Sequence, residues 1–236
     1  MMTNPSSKQH NIGTITATEY INSSKFEIFK ALSADKQHTY ALKIFPFINE
    51  KPHHAYLRES ELKNLNHPNI IKVHDSLIKR ETIQKNKSFF SSMILMEYAP
   101  YPDLFQISSR CQLGSDPILI RTIFHQLISG VEYLHSHGIA HMDLKSENVI
   151  IGADFKVKII DFDHSVKIGE STSFCLGTKD FRAPEIRERD VRDPKACDVF
   201  SLAVILFILA TDHFPFLEDQ LMAGFDLYEE LILDPQ

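Results

Sequence analysis

The run from Asn148 to Asp161, NVIIGADFKVKIID, limits the fold of this chain more than any other stretch. Two short β-branched runs flank Gly152-Ala153-Asp154, the composition of a tight hairpin turn. Phe155, Val157 and Ile159 are predicted to share one face, with Lys156 and Lys158 on the other. Asn148 and Asp161 then stand at the two open ends of one rigid hairpin. Rigid support of this kind suits side chains that must hold a metal ion. His141-Met142-Asp143-Leu144-Lys145 leads into the hairpin and Phe162-Asp163 follows it.

The surrounding sequence divides in two. Residues 1–15 are polar and read as a disordered tail. Residues 16–97 read as sheet plus one helix. His38 to Phe45 is the clearest strand, and further strands are predicted over 71–78 and 89–97. A helix over 53–65 is stopped by Pro68. Residues 98–103, with two prolines, form a stiff connection, and 104–236 turn helical. Asp116 before Pro117 supplies an N-cap and an N1 proline. Ile120, Ile123, Phe124, Leu127, Ile128, Val131 and Leu134 make one apolar stripe, and Gly138 ends the helix.

Composition excludes several classes. A net charge of −6 gives no general basic field for nucleic acid or anionic membrane. Cys111, Cys175 and Cys197 are odd in number and widely spaced, which suggests neither a disulfide framework nor a zinc site and fits an intracellular, cytoplasmic or nuclear, setting. The N-terminus lacks the apolar run of a signal peptide. The longest apolar run, Val199 to Ala210, is too short to span a bilayer and reads as a buried core helix.

With these motifs in order, the chain resembles a eukaryotic protein kinase over about residues 20–230. The resemblance implies an α+β, two-lobed fold: a small β-rich N-lobe, a hinge, and a mainly helical C-lobe lacking its last helices. It implies Asp143 as the base for the substrate hydroxyl, Asn148 and Asp161 as Mg²⁺ ligands, and Lys43 on the phosphates. Around the nucleotide it implies Ala41, Met96 as gatekeeper, Glu97 and Ala99 of the hinge, Asp103 near ribose, and Ile21, Phe29 and Ile150. Gly177-Thr178 and Ala183-Pro184-Glu185 resemble the end of an activation segment, and Asp198 the start of the helix anchoring the lower lobe. Lys145 and Thr178 are the serine/threonine-type residues: Lys145 would neutralise the moving phosphoryl group, and Thr178 would bond Asp143 and Lys145. The ending ILFILATDHFPF resembles calcium/calmodulin-dependent kinases. ATP, Mg²⁺ or Mn²⁺, a Ser/Thr-bearing protein substrate and a regulatory protein partner are the expected ligands.

The chain departs from that family at several places. Asn22, Ser24 and Glu27 align with the glycines of the phosphate loop, where Glu27 would repel ATP, and Phe29 replaces a small residue over adenine. Asp163 replaces the glycine after Asp161-Phe162, and Met142 removes an arginine that clamps activation-loop phosphate. Ser171, Thr172 and Ser173 lie in that segment. For the acid that pairs with Lys43, ungapped counting from His67 lands on Arg58. A one-residue deletion makes it Glu59, which is preferred because a lysine needs an anion, and Glu61 is the third choice. Two other readings stand beside the active enzyme: a pseudokinase serving as a nucleotide- or protein-binding module, and a small-molecule kinase, suggested by IIDFD.

Overall fold

The computed structural model describes residues 11–12, 15–22, 25–84, 87–111, 113–170, 177–188 and 191–216. They form two units. The first takes residues up to Pro102 together with Ile150–Asp163, and the second takes Asp103–Val149 and the residues from His164 onward.

The first unit is built on an antiparallel sheet. Its strands are β1 (Asn11–Ile12), β2 (Ile15–Asn22), β3 (Glu27–Ser33), β4 (Thr39–Ile48), β5 (Lys51–Pro52), β6 (Val73–Gln84) and β7 (Lys87–Glu97). They lie in the order β1-β2-β3-β4-β7-β6, with β5 on the end of β4. Asn11–Ile12 already pair with β2, so ordered strand begins inside the segment read as a tail. Alternation along β4 sorts the sheet into two faces. Leu42 and Ile44 join Ala17, Phe29, Ala31, Met93 and Leu95 in one buried cluster. Ala41, Lys43 and Phe45 point the other way, toward α1 (His54–Glu61), where Phe45 meets Tyr56 edge-on at 5.8 Å.

Helix α1 starts where His53 Nδ1 accepts from the Ala55 amide, and it is shorter than expected. Its last turn tightens into a 3-10 helix over Leu62–Asn64 before Pro68. Strand β6 runs six residues past the predicted end because its outer half is a polar ribbon without an apolar face to betray it. A break in register between Leu77 and Arg80 bends it there, and Lys79, Arg80 and Glu81 are exposed on this edge strand.

The hairpin is present as β9 (Val149–Ile151) and β10 (Val157–Ile159). Ile70 bridges Ile159, and Asn69 Nδ2 donates to Val157 O at 2.9 Å. One of its expected orientations is corrected. Phe155 is 72% exposed and stacks on Tyr101 at 5.0 Å, because positive φ turns it out of the strand. Lys158 is also buried, because its ammonium reaches Glu97 at 3.1 Å and Asp154 at 3.7 Å.

The second unit holds α2 (Leu104–Cys111), α3 (Pro117–Ser136), α4 (Pro184–Glu188) and α5 (Pro194–Thr211), with β8 (Ile139–Ala140) paired to β11 (Val166–Lys167). Asp116 caps α3 as the sequence suggests, accepting from the Ile118 and Leu119 amides at 3.1 and 2.9 Å. Gly138 follows its end at φ 73°. Of the predicted stripe, Ile128 is exposed and Gly130 is buried in its stead, which narrows the packed face. Asp193 caps α5, again followed by proline. Among the described residues, α5 is the one helix long and apolar enough to cross a membrane, yet half of it is buried in this unit, including Asp198.

Candidate active site

Each unit carries one constellation of the expected residues. In the first, Lys43 projects from β4 and is buried. Its Nζ bonds Glu59 Oε1 of α1 at 2.5 Å and Asp161 Oδ1 at 2.8 Å. Glu59, rather than Arg58 or Glu61, is the acid that Lys43 meets. Arg58 turns instead to the Asp163 carbonyl oxygen at 2.5 Å. Burial alone would lower the Lys43 pKa, but the two carboxylates outweigh it and raise it, so the ammonium stays charged. Burial pushes Glu59 up to about 7, against the pull of Lys43. Asp161 sits at φ 62°, a strained conformation for a residue with a Cβ, and strain of this kind clusters at functional positions.

The β3–β4 register corrects two expectations about the phosphate loop. Phe29 stands opposite Leu42, not opposite Ala41 or Lys43. It therefore belongs to the buried cluster on the far face, and the place beside Ala41 falls to Lys30, whose Nζ lies 5.3 Å from the Tyr98 ring centre. Glu27 stands opposite Ile44, so it too leaves the Lys43 face, and the expected repulsion of phosphate from that face is removed. β2 itself is irregular between Tyr20 and Asn22. Ile21 lies at that irregularity and is exposed. Ser24 and the side chain of Asn22 lie outside the described residues, as do Ser171, Thr172, Ser173 and Cys175.

Met96 pairs with Ala41 on β7 and shares its face. Glu97 spends its carboxylate on Lys158, and Ala99 and Ile150 are half-buried in the same unit. Asp103 belongs to the second unit, where it caps α2 by accepting from the Gln106 amide at 2.8 Å.

The second constellation centres on Asp143, which is buried. Its Oδ1 accepts from the Thr178 amide at 2.6 Å and from Thr178 Oγ1 at 2.8 Å. Asn148 Nδ2 donates to the Asp143 carbonyl at 2.8 Å and to its Oδ2 at 3.2 Å. Lys145 Nζ donates to Thr178 Oγ1 at 2.8 Å and lies 3.6 Å from Asp143 Oδ2. Beneath them Asp198 accepts from the His141 and Met142 amides, both at 2.8 Å, and its Oδ2 meets His135 Nε2 at 2.8 Å. These bonds hold Met142 at φ 64°, with its apolar side chain buried. Gly177 is obligatory: φ is 84°, and a Cβ there would lie 2.5 Å from the Met142 carbonyl oxygen. Arg182 Nε donates to the Gly177 carbonyl at 2.7 Å and fixes this crossing.

Each unit offers an oxygen donor suited to a hard divalent ion. In the second, Asn148 commits its NH₂ group to Asp143, which leaves its carbonyl oxygen; in the first, Asp161 brings a carboxylate that is one-third exposed. Oxygen-only ligands of this sort are what Mg²⁺ and Mn²⁺ take.

One residue escaped sequence reasoning. Lys25, in the turn between β2 and β3, pairs with the buried carboxylate of Asp163. The signal was available: an acid in place of a glycine in a buried motif needs a cation, and Lys25 is the cation in the aligned loop.

A buried lysine–glutamate pair beside a carboxylate, and a buried aspartate tied to a lysine, an asparagine and a threonine, are the parts of a phosphotransferase of the kinase fold. The profile of the protein kinase domain matches residues 24–230, and the chain belongs to that family. Its curated relatives include serine/threonine-protein kinase ppk8 of Schizosaccharomyces pombe, 37% identical over 64% of this chain and 28% of the relative. CBL-interacting protein kinase 9 of Oryza sativa subsp. japonica is 32% identical over 71% of this chain and 36% of its own length. Serine/threonine-protein kinase SIK1 of Mus musculus is 34% identical over 67% of this chain and 20% of its own. The chain thus matches well under half the length of these relatives. Protein kinases as a family use ATP and Mg²⁺.

Proposed function

We propose that this chain transfers the γ-phosphoryl group of ATP to serine or threonine hydroxyls of protein substrates. The observation that carries this reading is the closed network of Asp143, Lys145, Asn148 and Thr178. A fold kept only for binding has no use for a buried aspartate with each neighbour so placed.

Asp143 accepts the proton of the attacking hydroxyl as the new O–P bond forms and the bond from phosphorus to the ADP oxygen breaks. Thr178 holds that carboxylate from one side and Asn148 from the other, so its orientation is set before substrate arrives. Lys145 places a positive charge beside the base, where the transferred group gathers negative charge. Lys43, kept charged by two acids, holds the non-transferred phosphates, and Ala41 and Met96 line the adenine side. A divalent ion on Asn148 and Asp161 would neutralise phosphate charge. The substrates are intracellular proteins, and a regulatory protein partner is part of the same proposal, supported by the names of relatives called CBL-interacting.

The test is transfer of labelled phosphate from ATP to a generic basic protein, with Mg²⁺ and with Mn²⁺. Wild type is expected to label the substrate and Asp143→Asn to fail. Nucleotide binding without transfer, unchanged by Asp143→Asn, would favour the pseudokinase reading.

A further inference from the structure

The loss of glycines from the phosphate loop leaves open how this chain holds the end of a nucleotide. The first unit contains an answer in side chains. Asp163 is almost fully buried where a glycine was expected, and its carboxylate is met by Lys25. Arg58 of α1 grips the backbone of the same residue. Two positions earlier Asp161 receives Lys43. Both ammoniums gather around one buried ring: Lys43 Nζ is 5.2 Å and Lys25 Nζ 5.5 Å from the centre of Phe26. Phe26 is itself pinned against Phe45 at 4.7 Å. Lys25 differs from Lys43 in keeping nearly half of its side chain open to solvent. One of its faces is anchored and the other is available.

We propose that Lys25 is a second phosphate-binding cation, anchored by Asp163, which supplies through a side chain what the loop no longer supplies through glycine amides. The inference rests on the nucleotide-binding reading above. A polyanion large enough to reach from Lys43 around Phe26 meets Lys25, and a nucleoside without phosphates does not. The ligand class is therefore a nucleoside di- or triphosphate. Asp163 acts as a positioning residue: it holds the Lys25 ammonium beside the ring.

The experiment is calorimetric titration of the full chain with the magnesium salts of ATP and ADP and with adenosine. Lys25→Ala is expected to weaken ATP and ADP by about tenfold, the loss of one charge-assisted contact, while adenosine binds as before. Lys25→Arg should restore most of the loss, and Lys25→Gln should repeat it with the side-chain stem intact. Asp163→Asn should lower the ratio of ATP to adenosine affinity, with no further drop once Lys25 is alanine. Unchanged or tighter ATP binding in Lys25→Ala and Lys25→Gln overturns the proposal and makes the pair a latch only. Lys43→Ala separates the two readings. If it abolishes the preference for ATP while Lys25→Ala does not, only the Lys25 inference falls. If wild type shows no preference for ATP over adenosine, the nucleotide reading falls with it.

Discussion

The two constellations are fixed by different physics. In the second unit Asp143 is held mostly by hydrogen bonds, from Thr178 on one side and Asn148 on the other, and its loop rests on an aspartate that accepts from two backbone amides. In the first unit Lys43 is held by two ion pairs that span 16 and 118 residues of sequence. The first kind of site is oriented by bonds with little freedom, and the second depends on charges that respond to pH and neighbours. Departures from the family pattern fall in both, at Met142 in the second unit and at Asp163 with its partner Lys25 in the first. The lesson is that a hydrogen-bonded carboxylate needs each donor in one direction, whereas an ion pair needs only opposite charges brought close, so cations can be arranged in more than one way.

The sharpest break of this contrast is Asp161→Asn against Asp143→Asn. Asp161→Asn removes the charge that both Lys43 and a divalent ion require, so transfer should be lost and metal–nucleotide affinity should fall. Asp143→Asn should lower kcat by about 10²–10⁴-fold with ATP affinity nearly unchanged. Equal losses of affinity in the two variants would erase the division of roles. Next in size is Asp198→Ala, which strips the acceptor from two buried amides and from His135. It should cost about 3–5 kcal/mol in denaturant unfolding. A smaller effect is expected of Thr178→Val, about tenfold in kcat, since it deletes the hydroxyl between Lys145 and Asp143 but keeps the amide bond to the carboxylate.

The pH profile sharpens the comparison from the other side. With its pKa raised by burial to about 7, Glu59 is increasingly protonated below that pH and leaves Lys43 with one acid fewer. The apparent affinity for ATP should improve as pH rises through this range, and Glu59→Gln should flatten that limb. The sign for stability is opposite: a carboxyl whose folded pKa lies above its unfolded value contributes most in acid and loses that contribution as pH rises to about 7. The smallest effect is chemical. Burial, and then Glu185 at 3.4 Å, push the Cys197 thiol far up, so a maleimide at neutral pH should label exposed Cys111 and spare Cys197.

Much of this was legible in the sequence. Asp116-Pro117 and Gly138 bracket α3 because capping chemistry is local. Asp143, Lys145, Asn148 and Thr178 come together because a short loop and one crossing segment carry them all. What failed was register. A shift of one residue in β3 moves every side chain to the opposite face, and no local pattern in YINSSKFEIFK fixes which residues take which face. Motif counting therefore did not show that Phe29 and Glu27 stand opposite Leu42 and Ile44. Alternation gave Lys158 a face but not its burial, which depends on two acids distant in the sequence or across the turn. The partner of Lys43 lay on a helix whose offset from His67 counting leaves ambiguous, and only chemistry, an ammonium wanting an anion, pointed to Glu59.

The outer reach of β6 bears on how many copies of this chain behave together. A sheet margin normally offers a row of open amides and carbonyls on which a stranger's strand can grow. Here that margin is broken at Leu77–Arg80, twists at Lys79 with φ 50°, and carries Lys79, Arg80 and Glu81 outward. The Lys79 ammonium folds back over the Phe47 and Phe90 rings at 5.9 and 5.4 Å and screens the apolar surface beside the break. In a crowded solution such a margin is a poor template. Molecules meeting edge to edge find charge and a kink instead of a matching ladder, and the sheet ends with its own chain.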